Sequence, residues 1–213
     1  RHARPGPRYT SYPPATELTA AVDGAPARAE HERLGREPSD RPISLYCHLP
    51  FCSSLCWYCG CNVIATRDRS RAAPYVDTLL AEIALVSQRL GRDRRLVEVA
   101  LGGGSPNFLA AADMARLCQG IRDAFDVAPD AHLGVELDPR DTSDELLDVV
   151  AAAGYRRMSV GVQDFDPAVQ EAIHRVQSAE ETARLLDAAR ARGLHDVNVD
   201  LVYGLPKQTA ERF

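Results

Sequence analysis

The chain has 213 residues, 45% apolar and 26% charged, which suits one globular core of ordinary soluble character. Its formal charge of −5 argues against nucleic acid as the main partner, since phosphate binding favours basic faces. No run of about 18 apolar residues is present to span a membrane, and a start at Arg1 without the apolar core of a secretory signal reads as a fragment of a longer protein.

Residues 1–42 are rich in proline, glycine and charge and are expected to form an irregular N-terminal extension ahead of a core at residues 43–213. Within them Arg8-Tyr9-Thr10-Ser11-Tyr12-Pro13-Pro14 stands out for its two aromatic rings, and residues 20–41 have room for one short helix. From Ile43 a strand-then-helix rhythm begins. Ile43–His48 is the first predicted strand. Val76, Leu79, Leu80, Ile83, Val86 and Leu90 mark one face of the helix after it, with Pro74 early and Gly91 at its close. Leu96–Leu101 is the second strand and runs into Gly102-Gly103-Gly104-Ser105-Pro106. Met114, Leu117, Cys118, Ile121 and Phe125 trace the next helix, and His132–Leu137 is the third strand. Thr142-Ser143-Asp144-Glu145 has capping-box spacing ahead of Leu146, Leu147 and Val150. Arg157–Val162 is the fourth strand, followed by Asp166-Pro167, an N-cap and first-turn pair. Ser178 and Glu181 repeat the capping-box spacing, and Val197–Val202 is the fifth strand, breaking at Gly204-Leu205-Pro206.

Strands alternating with helices imply an α/β fold with a parallel sheet. Right-handed crossovers would curl that sheet toward a barrel, and an open doubly wound sheet is the rival architecture. In either, ligands bind at the C-terminal ends of the strands. The unusual residues of this chain fall there: a cysteine stretch after strand one, the triple glycine after strand two, Glu136 near the end of strand three, Gln163 after strand four and Asp200 late in strand five. That rim is the expected active site.

The cysteine stretch carries most of the chemistry. Cys52, Cys56, Cys59 and Cys61 place four thiols within ten residues, spaced C-x3-C-x2-C-x-C. Clustered thiolates are soft ligands that favour iron–sulfur clusters or zinc, and the C-x-C end fits the usual zinc spacings poorly. Three thiolates on a four-iron cluster would leave one iron open to chemistry. The offsets of Cys52, Cys56 and Cys59 also match an apolar helical stripe, but Pro50 and Gly60 bracket the segment as a loop. A disulfide pair is the other plain alternative, and nothing in the chain looks secreted. The triple glycine allows close backbone approach but matches neither a Walker A loop nor G-x-G-x-x-G. Glu136 and Asp200 would otherwise be strand-end groups holding the fold, and Arg175 a solvated helix residue. Tyr46 and His48 share one strand face while Cys47 points the other way. Cys47 and Cys118 read as small core residues, and His31, His132 and His195 receive no role.

Cys52, Cys56, Tyr58 and Cys59 resemble the signature of the radical S-adenosylmethionine (SAM) enzymes, C-x3-C-x2-C with an aromatic residue before the last cysteine. Cys61, the lead-in Tyr46-x-His48-x-Pro50-Phe51 and the Arg8–Pro13 segment narrow the likeness to the oxygen-independent coproporphyrinogen III oxidase (coproporphyrinogen dehydrogenase) family of haem biosynthesis. The resemblance implies a partial (β/α)6 barrel of which this chain holds five strands, cut before the sixth strand and a C-terminal domain. It implies a [4Fe–4S] cluster on Cys52, Cys56 and Cys59, with Cys61 outside the ligand set. It also implies two SAM molecules, bound by Tyr46, Tyr58, Gly103, Gly104, Ser105, Glu136, Gln163, Arg175 and Asp200, and catalytic roles for Tyr46 and His48. Gly103 would face one SAM, and Gly104 and Ser105 the other. Ser105 stands where the family has threonine, and His174 where it has asparagine before Arg175. The implied reaction is oxidative decarboxylation of coproporphyrinogen III to protoporphyrinogen IX through a 5′-deoxyadenosyl radical. The implied setting is a cytoplasmic monomer fed by a flavodoxin- or ferredoxin-type one-electron donor. A haem-carrying chaperone of the same superfamily and a zinc-bound structural module are the alternatives.

Overall fold

The computed structural model describes residues 24–38, 41–91 and 93–211, so the Arg8–Pro14 segment lies outside the described residues. Helix α1, Gly24–Arg36, supplies the short helix expected within residues 20–41 and buries none of its side chains. It is tied to the body by Arg94, whose guanidinium donates to the carbonyls of Leu34, Glu37 and Leu90.

Five parallel strands form the sheet: β1 Ile43–Leu49, β4 Arg95–Gly103, β5 Asp126–Leu137, β6 Arg157–Gln163 and β7 Asp196–Leu201. The short strands β2, Phe51–Cys52, and β3, Ile64–Ala65, make a separate parallel pair inside the cysteine loop. The large sheet runs β1-β4-β5-β6-β7, each strand beside the next in sequence. A doubly wound sheet reverses direction at a switch point; this one never does, so it winds in one sense, as a barrel wall does.

Alternation along the strands explains which face is covered. Cys47, Leu49, Val99, Leu101, Val135, Leu137, Met158 and Val160 are buried in one cluster. The helices that close over them are α2, Ala72–Leu90, α3, Ala111–Ala124, α4, Asp144–Ala152, and α6, Ala179–Ala191. They contribute Val76 and Ile83, Met114 and Leu117, Leu146 and Val150, and Leu185 and Ala189. The intervening strand positions, among them Tyr46, Glu98, Glu136, Asn198 and Asp200, stay exposed on the other face. Cys47 and Cys118 lie in the core as expected, where burial pushes their thiols up to about 12 and about 11.

The observed boundaries differ from the predicted ones where pairing overrides local pattern. Strand β4 continues to Gly103, two residues past its expected end, because Gly102 and Gly103 pair with His48 and Leu49. Strand β5 starts at Asp126 rather than His132, since Asp126 and Val127 pair with Arg95 and Leu96 before the register shifts. The cap of α4 is Ser143, whose Oγ accepts from the Leu146 amide at 3.2 Å. Thr142 lies one residue ahead of the cap, and its hydroxyl donates back to the Asp138 carbonyl at 2.8 Å. Asp166 caps α5, Pro167–Ala172, and Ser178 with Glu181 forms a complete capping box on α6, both as predicted.

Candidate active site at the strand ends

The loop carrying the thiols is fixed by backbone hydrogen bonds on both sides. The Gly104 amide donates to the Leu49 carbonyl at 2.8 Å and the Ser105 amide to Phe51 at 2.7 Å. On the other flank Ile64 donates to Pro50 at 2.7 Å and Thr66 to Cys52 at 2.9 Å. Cys52 lies in β2 and the residues after it run through bends and turns, so the helical-stripe alternative fails, and all six cysteines are free thiols. Gly103 adopts φ 112°, open to glycine, and a side chain there would strike the His48 ring at 2.5 Å.

The far end of the loop leans on the turn between α5 and α6. The Trp57 amide donates to the Ile173 carbonyl at 2.9 Å, His174 Nδ1 bonds the Leu55 carbonyl at 2.7 Å, and the Trp57 and His174 rings stack at 5.3 Å. His174 has φ 56°. Asparagine, aspartate and histidine are the non-glycine residues enriched in that left-handed conformation, so histidine can hold this turn as asparagine would.

One cavity gathers most of the residues singled out from sequence. Cys52, Cys56, Tyr58 and Cys59 line it from the loop, and Gly103, Gly104 and Ser105 from the turn after β4. Glu136 from β5, Gln163 at the end of β6, Asp200 from β7 and Arg175 complete the ring. Glu136 accepts from the Gly103 amide at 3.0 Å, and Asp200 from Asn198 Nδ2 at 2.7 Å. Gln163 has φ 71°, a strained backbone at the cavity wall. Cys61 also lines the cavity; its amide donates to Cys59 Sγ at 3.4 Å, and its thiol is pushed up to about 11 by burial and by Cys59.

Tyr46 and His48 line a different cavity, at the free edge of β1 beside α2. They remain coupled to the site through Gly103. His48 Nε2 lies 2.8 Å from the Asn62 carbonyl, which can only accept, so this nitrogen carries the proton and Nδ1 accepts from the Tyr46 hydroxyl at 3.1 Å. Burial first, and the Glu136 charge second, push the Tyr46 hydroxyl above its usual range.

Sequence reading missed the hub of the site. Asp138, 8% exposed, accepts from Arg140 Nε at 2.9 Å, Arg140 Nη2 at 2.6 Å and Arg175 Nη1 at 3.2 Å. Both guanidiniums also reach Cys56 Sγ, Arg175 at 3.6 Å and Arg140 at 3.9 Å. Burial would push the Asp138 carboxyl up, but the Arg140 hydrogen bonds and the Arg175 charge outweigh it and hold the group below its ordinary value. Buried Asn107, in the turn after β4, braces the Asp138 backbone from both sides, donating to its carbonyl at 3.1 Å and accepting from its amide at 2.9 Å. The signal for Ser159 and Gly161, which also line the cavity, was the alternation Met158-Ser159-Val160-Gly161-Val162.

The donor set fits an iron–sulfur cluster better than a lone ion. Among the described residues no three His, Cys, Asp or Glu side chains are placed to hold a single metal ion. Thiols spread around one cavity suit a cluster, in which each thiolate binds a different iron. Burial raises the Cys52 thiol, and coordination to a metal reverses that outright. Arg175 Nε is buried without a hydrogen-bond partner, a donor at the cavity wall suited to an anionic group.

Comparison with known proteins agrees with this chemistry. The model described as the Radical SAM superfamily matches residues 46–213. The oxygen-independent coproporphyrinogen III oxidase of Pseudomonas aeruginosa is 39% identical over 100% of this chain and 46% of its own length. The enzyme of the same name from Escherichia coli is 42% identical over 98% of this chain and 44% of its own. The chain therefore spans a little under half the length of these curated relatives. A solved structure of coproporphyrinogen III oxidase from Escherichia coli superimposes with a TM-score of 0.88 at 39% identity, covering 96% of this chain and 46% of that one. A radical SAM methyltransferase from Kitasatospora setae, 21% identical, shares the fold with a TM-score of 0.52 over 80% of this chain and 30% of that one.

Proposed function

The chain belongs to the Radical SAM superfamily, and from that premise we propose that it carries the cluster- and SAM-binding part of an oxygen-independent coproporphyrinogen III oxidase. The observation that carries the reading is the convergence of four thiols with Glu136, Gln163, Arg175 and Asp200 on one cavity. Cys52, Cys56 and Cys59 would hold a [4Fe–4S] cluster. With SAM bound, that group would supply the single electron that breaks a sulfonium carbon–sulfur bond, and the carbon radical so released would take a hydrogen atom from a propionate of coproporphyrinogen III.

The chain's own residues orient and shield. Arg175 offers its free Nε–H to the carboxylate of a methionine moiety, since a guanidinium fork suits that group. Gly103 and Gly104 let ligand atoms approach the backbone, and Ser105 keeps the hydroxyl that the family's threonine provides. Glu136, Gln163 and Asp200 are polar anchors along the strand ends, and Tyr58 covers the loop side. Tyr46 and His48 act from beside Gly103 as a hydrogen-bonded pair. Two SAM molecules, a flavodoxin- or ferredoxin-type donor, a monomeric state and a cytoplasmic setting belong to the same reading. Among the described residues no helix is long and apolar enough to cross a membrane.

The test is anaerobic reconstitution of the chain with iron and sulfide, then chromatography for 5′-deoxyadenosine and porphyrin products after adding SAM, dithionite and coproporphyrinogen III. Cys52→Ser is expected to abolish SAM cleavage. Full cleavage by that variant, or a wild-type chain that takes up no iron, refutes the reading.

A further inference from the structure

We propose that Arg140 is a positioning residue that raises the reduction potential of a cluster held by Cys52, Cys56 and Cys59, by fixing a positive charge against the Cys56 sulfur. The inference rests on the reading of the site given above. The potentials of such clusters respond to net charge, to hydrogen bonds on the sulfurs and to solvent exposure. At Cys56 the first two coincide.

Arg140 is held for this and little else. Its Nε and Nη2 grip both oxygens of Asp138, at 2.9 and 2.6 Å, and the same Nη2 lies 3.9 Å from Cys56 Sγ. Its own amide donates to Asp138 Oδ1 at 3.1 Å, so backbone and side chain close on one carboxylate. Arg175 differs: its Nη2 donates to the Gly161 carbonyl at 2.6 Å and its Nε is unpartnered, which leaves it a ligand-binding role. Two guanidiniums and one carboxylate leave one net positive charge beside the thiol. With these groups mostly withdrawn from water, that charge is weakly screened.

The other two sulfurs lack this arrangement. Cys52 Sγ receives the Ser105 hydroxyl at 3.7 Å, and Cys59 Sγ the Cys61 amide at 3.4 Å, both from neutral donors. A reduced cluster carries one more negative charge than an oxidised one. A fixed cation therefore stabilises the reduced form more and shifts the couple toward reduction.

The experiment is a redox titration of the reconstituted full chain without SAM, poised with dithionite and mediators and read by the electron paramagnetic resonance of the reduced cluster. Arg140→Gln removes the charge while keeping a planar polar group. Its reduced-to-oxidised ratio at a fixed poise is expected to fall about tenfold, a midpoint ~59 mV lower for a one-electron couple. Only the loaded fraction gives the signal, so partial loss of iron does not obscure the result, and a purely structural role moves iron content without moving the midpoint. Arg140→Met is the second charge-free variant. Either variant, loaded and with an unchanged midpoint, overturns the proposal. So does failure of both to bind iron while the wild type binds it, which makes Arg140 structural. A wild-type chain that binds no iron instead refutes the reading of the site, before any variant is made.

Discussion

Gly104 lies so close to Phe51 that a side-chain carbon on the glycine would sit 2.6 Å from the phenylalanine carbonyl oxygen. The obstacle is backbone, and it cannot swing aside. The Pro50 carbonyl lies almost as near, at 2.8 Å. The glycine turn and the thiol loop are thus in van der Waals contact at the point where they share hydrogen bonds.

Gly104→Ala is therefore expected to force the two loops apart, at a cost of about 2 kcal/mol. Urea unfolding of the full chain would show the loss, and iron uptake on reconstitution would fall with it. An alanine variant with wild-type stability and wild-type iron content would show that the contact yields freely.

Asp138 makes stability depend on acid. Its folded value is held below that of an unfolded aspartate, so its contribution is fully present above about pH 4 and is lost as pH falls through the folded value. Asp138→Asn is expected to be less stable at pH 7 and to show a shallower decline below pH 4. Asp138→Ala strips two guanidiniums of their anion and should cost about 3–5 kcal/mol. Unfolding midpoints measured at stepped pH would check both, and parallel acid limbs for wild type and Asn would contradict the assignment.

His174 separates a backbone effect from a ring effect. With φ 56°, a β-branched residue there is strained by about 1–2 kcal/mol, whereas asparagine is not. His174→Asn should leave the unfolding midpoint close to wild type yet free the ring of Trp57, the sole tryptophan of the chain. His174→Val should lose both stability and ring order. Fluorescence anisotropy reports the ring and urea unfolding the backbone. Equal destabilisation by Asn and Val would mean that the stack, and not the conformation, holds this turn.

The fold and the rim were legible because both are local. Apolar periodicity marks each strand and helix, and caps such as Asp166 and the Ser178–Glu181 box announce themselves within four residues. Residues at strand ends were bound to meet once the strands proved parallel. The Asp138 hub was not legible, because Arg175 lies 37 positions further along the chain and no pattern pairs the two. The cap of α4 was misplaced by one residue because Thr142 and Ser143 are both capping types, and only the geometry shows Ser143 Oγ meeting the Leu146 amide. Tyr46 and His48 were read onto one strand face, as found, but β1 is the edge strand of the sheet and they line a neighbouring cavity at that edge.

The alternation of β5 and β6 has a genetic corollary. Val135 faces the helices and Glu136 the cavity; Val160 faces the helices and Gly161 the cavity. Deleting a single codon within either strand would turn every later side chain of that strand to the opposite side, placing valine or leucine among the polar groups and a carboxylate in the oil. Lineages descended from such a chain should gain and lose residues in the loops between strands and almost never inside them.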